Sequence, residues 1–357
     1  LYTALGKDGV DVLDLSDPTS PQRLGPPDGP CTPTGMANPW EGACRTIQTL
    51  GWARSLAIGK EVTIPEGGEG HQRTVLAVVG GSAGYPSWIN LYYADPPEET
   101  QDQNPPQTAP IGQFIGGATL ANAPGSSLDG PQGRPTIVRT IGKTAYVATV
   151  GVGLQQVDLD LVPQFRTNPV MNTVSSIPLG GGAKWDFSGA IMGLTTFKPQ
   201  GSTGFVIGAI QAKGLAAWTH GPMTQMQPVP FPDTLQPSWS MRMAAYPDYA
   251  YTAIENNQPA PKTTQLLLLA GGTHETGLMV YKLSPSGGSL GMELMTAIPL
   301  KSAAYDVALD TRRHLAYVAC YDSGVAIVDM SNPYRRNESN WYGLLDANLD
   351  GIDDRIL

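Results

Sequence analysis

Apolar residues in this chain come in short runs that stop at turn formers, as in residues 74–81, 144–149, 204–210 and 266–272. Each run leads through a glycine-containing turn into a second one, and no long stretch carries a 3.6-residue apolar period. That pattern predicts β-hairpins, not helices. The hairpins repeat. Residues 1–21 recur as 315–333, with Gly9 matching Gly324, Asp14 matching Asp329, and Asp17-Pro18 matching Asn332-Pro333. Weaker copies occupy 74–97, 144–160, 204–219 and 266–283, which gives six units marked at Val10, Ile89, Leu154, Leu215, Leu278 and Val325.

Most units are flanked by further short apolar strands, such as 136–142 and 173–180 around the third. Four short antiparallel strands form a sheet that buries both faces only by stacking on its neighbours, and radial closure supplies neighbours to all of them. The prediction is an all-β chain, a β-propeller of about six four-stranded blades over residues 1–345. Marker spacings of 79, 65, 61, 63 and 47 residues exceed the ~40–45 of a compact blade, so the excess is inserted loop. A doubly wound α/β fold, with 80–84 and 151–153 as phosphate-binding turns, needs a helix after each turn; here each turn runs into a second strand.

Gly9, Val12, Leu13, Asp14, Ser16, Asp17 and Pro18, with their partners Gly324, Ile327, Val328, Asp329, Ser331, Asn332 and Pro333, resemble the LVIVD repeat. The resemblance implies a propeller from a secreted or surface protein of bacteria or archaea, and implies no catalytic residues.

Composition narrows the partners. Glycine and proline make up about a fifth of the 357 residues and only 15% are charged, as many tight turns require. A net charge of -9 argues against nucleic acid, whose phosphates need clustered Lys and Arg. No uninterrupted apolar stretch reaches the ~20 residues of a membrane span. Cys31 and Cys44 flank one loop and are expected to form a disulfide, which implies an oxidising compartment, extracellular or at the cell surface; Cys320 lies inside an apolar run. The first residues already read as the middle of a repeat, so the chain is expected to be part of a longer protein with further domains.

In a propeller, the turns between second and third strands and the connections between blades open on one end of the channel. The candidates for a binding face are therefore Trp40, Tyr85, Trp88, Lys184, Trp185, Asp186, Trp239, His274 and Glu275, joined by Tyr321 and Asp322. The tryptophans could stack on sugar rings or anchor a protein partner, or pack between blades. His71, His220, His274 and His314 share no ligand spacing and read as exposed turn residues. The recurring Asp14, Asp158 and Asp329 read as acceptors of turn amides, since they sit at equivalent places in separate blades.

Residues 346–357 form a separate segment in which Asp346, Asn348, Asp350, Gly351 and Asp354 fit the opening of an EF-hand-type loop, with the Ile352 carbonyl as a further ligand. Such loops resemble those of dockerins and thrombospondin type 3 repeats, and calcium is the expected cofactor. The residues after the loop are expected to pair with the first blade and close the ring. The function expected is non-enzymatic binding or scaffolding toward a protein or carbohydrate ligand. The alternative is a lactonase- or hydrolase-type enzyme with a channel metal, for which His274, Glu275 and Asp186 are the available groups.

Overall fold

The structure, a computed structural model, describes residues 2–5, 9–14, 17, 20, 22–23, 46–47, 52–66, 68–81, 87–94, 112, 114–120, 135–149, 153–165, 176–177, 191–210, 214–221, 226, 228–233, 235, 242–255, 258–271, 273, 276–336, 344–347 and 352–357. Among these the chain is all-β, with one short 3-10 turn at Val162–Phe165. It divides into two compact units, residues 1–190 and 191–357, each holding three antiparallel sheets.

In the first unit, sheet one contains β1 (Tyr2–Ala4), β2 (Val10–Asp14), β3 (Gln22–Arg23) and β4 (Thr46–Ile47). Here β3 and β4 pair with different stretches of β2. Sheet two runs in order through β5 (Ala53–Glu66), β6 (Glu69–Gly80), β7 (Trp88–Tyr93) and β8 (Phe114–Thr119). Sheet three does the same with β9 (Pro135–Ile141), β10 (Thr144–Thr149), β11 (Gly153–Asp158) and β12 (Ser176–Ile177). The run that reads as apolar throughout is buried throughout: all of β7 and the last six residues of β6 are inaccessible, because sheet two has a neighbour on either face. One cluster joins Val10 and Val12 of sheet one to Leu76, Val78 and Tyr92 of sheet two. Another joins Val79, Ile89 and Leu91 to Val138, Ala145 and Val147 of sheet three.

In the second unit, sheet four holds β13 (Ile191–Phe197), β14 (Phe205–Ile210) and β15 (Gly214–Thr219), with Val229 bridging to Leu215. Sheet five contains β16 (Arg242–Glu255), β17 (Gln258–Ala270), β18 (Leu278–Ser286) and β19 (Ser289–Ile298). Sheet six contains β20 (Ala304–Asp310), β21 (Leu315–Cys320) and β22 (Gly324–Asp329). Ile207, Leu215 and Met243 pack with Leu267, Leu269 and Met279 between sheets four and five, and Leu268, Leu278 and Val280 with Ala316 and Val318 between five and six.

All six units share one register. The markers pair across the hairpin as Val10 with Ala4, Ile89 with Val79, Leu154 with Ala148, Leu215 with Ala209, Leu278 with Ala270 and Val325 with Ala319. In five of them the preceding residue is a glycine with positive φ: Gly9, Gly153, Gly214, Gly277 and Gly324. At Gly277 the absence of a side chain is required on two counts, since φ is +44° and a Cβ would stand 1.9 Å from the Ile298 carbonyl oxygen of the next strand. The first five markers are 0% exposed, whereas Val325 is 62% exposed.

One expectation is corrected here. The residues after the acidic loop lie along β22 in sheet six, not in the first sheet: Ile356 bridges Val328, the Asp329 amide donates to the Arg355 carbonyl at 2.7 Å, and the Leu357 amide to the Ile327 carbonyl at 2.9 Å. Among the described residues the repeat supplies three strands to sheet six, and the C-terminal segment bridges the last of them.

Candidate functional site

Of the residues expected on a binding face, Trp40, Tyr85, Lys184, Trp185, Asp186, Trp239, His274 and Glu275 lie outside the described residues, as do Cys31, Cys44, Asn348 and Asp350. Trp88 is described and is in the core, 7% exposed, within the cluster between sheets one and two. It stands where the other five units have glycine, and its ring lies over Gly80, where a Cβ would meet it at 2.4 Å. A strand position gives no sign of which face is covered, so this tryptophan reads as exposed from sequence alone.

Two hairpins of the second unit are ordered by their own hydroxyls. In sheet five the Thr273 and Thr276 hydroxyls lie 2.6 Å apart, and the Thr276 amide donates to Thr273 Oγ1 at 3.1 Å. In sheet six, Tyr321 is 75% exposed and stacks on Tyr305 with ring centroids 5.8 Å apart. Beside it, hydrogen bonds from the Ser302 and Ser323 side chains hold the Asp322 carboxyl below its ordinary range. An exposed ring beside an ionised carboxylate can take a sugar or a polar peptide.

Histidine placement differs from the sequence reading. His314 is half-buried with φ at +58°, and its Nδ1 is 2.9 Å from the hydroxyl of the buried Tyr249. That hydroxyl donates its proton to the Met330 carbonyl at 2.8 Å, so it accepts from His314 Nδ1–H. His314 is a structural donor that fixes the β20–β21 turn. Asp158 and Asp329 behave as read: each accepts an amide two residues on, from Asp160 at 3.1 Å and Ser331 at 2.8 Å.

The most developed polar arrangement is in the segment along β22. Asp353 and Arg355 are the first and third residues of a tight turn closed by the Ile356 amide on the Asp353 carbonyl at 2.8 Å, and are 0% and 2% exposed. The Asp353 oxygens accept from Arg355 Nε and Nη2, each at 2.6 Å, and from the amides of Arg355 at 3.1 Å and Leu345 at 3.0 Å. Arg355 Nη1 also donates to Thr296 Oγ1 at 2.9 Å and the Arg335 carbonyl at 2.8 Å, and Nη2 to the Ala297 carbonyl at 3.4 Å. All five guanidinium N–H groups and all four carboxylate lone-pair sites are used, which is the condition for burying such a pair. The same bonds clasp the acidic loop. The Asp354 amide donates to the Leu345 carbonyl at 2.6 Å, and the Ala347 amide to Asp354 Oδ2 at 2.9 Å, so Asp346 and Asp354 sit at the joined ends of one turn. The sequence reading assigned Asp354 to the loop and overlooked the pairing of Asp353 with Arg355, which a turn brings together.

The LVIVD repeat family matches residues 1–25 and 314–342. The two matches fall on the first and last sheets. In the second of these units the repeat's glycine is Gly324 and its turn-capping acid is Asp329, in the positions the fold requires. No curated protein matches the chain. Among solved structures, the computationally designed Ika8 protein is similar, with 11% identity, a TM-score of 0.37, and coverage of 76% of this chain and 62% of that one. A putative 6-phosphogluconolactonase from Bacteroides uniformis is also similar, with 12% identity, a TM-score of 0.39, and coverage of 82% and 83%. The chain thus spans less than two thirds of the designed protein's length. No helix among the described residues is long and apolar enough to cross a membrane.

Proposed function

We propose that the six sheets are the blades of a closed β-propeller that works as a non-enzymatic binding or scaffolding module of an extracellular or cell-surface protein, toward a protein or carbohydrate ligand. The observation that carries this reading is the common register: six hairpins with equivalent pairings, five with the same positive-φ glycine, and sheet-on-sheet cores within each unit. A stack of such sheets is rigid and presents its hairpin turns along one end, which suits a platform. The exposed Tyr321 and its Asp322 neighbour support a contact surface there. The groups an enzyme reading needs, Asp186, His274 and Glu275, lie outside the described residues.

The acidic loop of Asp346, Asn348, Asp350, Ile352 and Asp354 takes calcium in this reading, and its clasped ends support that role, because a cation loop must bring its first and last ligands together. Metal analysis of the purified chain and of Asp350→Ala tests the whole proposal. Calcium present in the native chain and lost in the variant, with no lactone hydrolysis in either, is the expected result. A metal retained by the variant together with chelator-sensitive hydrolysis would overturn it in favour of a channel-metal enzyme.

A further inference from the structure

The two hairpins of sheet five fork. β17 and β18 pair from Ala270–Leu278 only as far as Leu266–Lys282, while the β16–β17 ladder runs on to Glu255–Gln258 and the β18–β19 ladder to Ser286–Ser289. Each arm is held to a different neighbour. On the β16–β17 arm the Tyr249 hydroxyl donates to the Met330 carbonyl at 2.8 Å, and Thr264 Oγ1 lies 2.5 Å from the Tyr334 hydroxyl, both partners following β22. On the β18–β19 arm Leu283, Leu290 and Met292 join the cluster shared with sheet four, where the Leu290 amide donates to Met226 Sδ at 3.2 Å. The fork is therefore built into the packing. Between its arms lies a cleft of about 320 Å³, within the size range of ligand sites.

The walls of the cleft indicate what it takes. Just past β17 the Gly271 amide donates to the Gly277 carbonyl at 2.8 Å, and alternate residues of a strand present N–H and C=O to the same edge. Gln265 and Thr263 thus present theirs on the β18 side, at the fork. Farther out on that edge stand Pro259 and Pro261, which have no N–H and keep an open edge from pairing along its length. They leave the row of donors intact at Thr263 and Gln265, which line the cleft. Main-chain groups on an open edge match another main chain. None of the lining residues is aromatic, so the platform on which a sugar ring stacks is missing. Asp248, exposed in the β16 bulge, also lines the cleft and forms no ion pair among the described residues. Lys282 on the other wall is opposed by Glu293 across the β18–β19 ladder, so the balance of charge is negative.

We propose that this cleft binds a short extended peptide segment with a basic side chain, its backbone laid against Thr263 and Gln265 and its charge toward Asp248. The fork is at the opposite end of sheet five from the turn at 271–277. The site is therefore separate from the hairpin-turn face and stands whether or not that face has a ligand.

The test uses the full chain and a fluorescent, end-blocked Val-Lys-Val-Lys-Val peptide, with a version carrying glutamate for lysine, a version N-methylated on alternate amides, and cellobiose as competitor. Asp248→Asn removes the charge. Thr263→Pro continues the row of Pro259 and Pro261 and spares the β16–β17 ladder, since the Thr263 N–H points away from β16. Saturable binding of the lysine peptide by anisotropy is expected, weakened at least about tenfold by the glutamate exchange and by Asp248→Asn, and lost on N-methylation and in Thr263→Pro. Binding indifferent to N-methylation and to Thr263→Pro, displacement of the peptide by cellobiose, or no binding up to about 1 mM peptide overturns the proposal. Hydrogen exchange of the native chain gives a second reading. The Thr263 amide should exchange as an open amide in the free chain and slow at least about tenfold under saturating peptide. A Thr263 amide already slow in the free chain would show that the edge is closed and is no acceptor.

Discussion

Gly277 and Gly324 occupy the same position of the repeat, both with positive φ, yet alanine should affect them very differently. At Gly324, φ is +76° and nothing lies within 4 Å of an added Cβ. The substitution costs only the left-handed conformation, about 1–2 kcal/mol, less about 0.4–1 kcal/mol regained because alanine stiffens the unfolded chain. The net is about 1 kcal/mol. At Gly277 the conformational cost is of the same kind, but the methyl would sit 1.9 Å from the Ile298 oxygen and 3.0 Å from the Leu300 nitrogen. Both neighbours are backbone, so no side chain can swing away; β18 and β19 must separate where Leu278 pairs with Ile298. Overpacking of that kind adds about 1–3 kcal/mol, for a total of about 2–4 kcal/mol. In a cooperative unit of 150–250 residues, each kcal/mol lowers Tm by about 2–4 °C, so Gly324→Ala should lose roughly 2–4 °C and Gly277→Ala roughly 5–15 °C. Thermal and urea unfolding of the full chain, followed by far-UV circular dichroism, reads both. Equal losses, or a larger loss at Gly324, would refute the claim that the repeat glycine is demanded by the approach of the next strand.

Three further outcomes are expected. The Glu66 carboxylate is held below its ordinary value of 4.5 chiefly by the Arg73 hydrogen bond, with a further bond from the Tyr93 hydroxyl. A depressed folded pKa contributes stability above the ordinary value and loses it as pH falls through the folded one, so below pH 4.5 native Tm should fall more steeply than that of Glu66→Gln; parallel curves would contradict this. Alkylation after unfolding without reductant should label Cys320 alone, whereas labelling of all three cysteines excludes the Cys31–Cys44 bridge. Calcium at a hundredfold excess over its dissociation constant should stabilise the chain by about 2.7 kcal/mol, an effect abolished by Asp350→Ala. An unchanged Tm with calcium and with chelator would make residues 346–354 a plain linker.

The six hairpins were legible because each is local: an apolar run, a glycine and a second run within about twenty residues determine both pairing and turn. The positions of Val10, Leu154, Leu215 and Leu278 in the core follow from the same pattern. Trp88 was not legible, because in a strand buried on both faces the inward and outward positions look alike, and its cover is its cross-strand partner Gly80 together with sheet one. His314 depends on Tyr249, 65 residues away, and no local signal announces that contact. Arg355 ran against the prior that arginine is exposed; its burial is intelligible only once Thr296, Ala297 and Arg335 are placed around it. The partner of the closing segment was misassigned for a related reason. A segment this short carries little pairing information, and none of the Arg355 contacts that hold it, to Thr296, Ala297 and Arg335, is local in sequence.

Ring closure is the central claim, and Val325 reports on it most directly. The equivalent residue is fully buried in the other five sheets, and Val325, with Ala319 opposite it, forms an exposed apolar patch. In a closed propeller the first sheet covers that patch. The measurement is maleimide labelling of Val325→Cys in the native full chain, mapped by peptide mass, with the buried Cys320 of the same hairpin as internal reference. Closure predicts that residue 325 labels as slowly as Cys320 and becomes reactive only on unfolding. Labelling at the rate of a free thiol in the folded protein would show that the sixth sheet has no neighbour on that face, and that the six sheets do not form a ring.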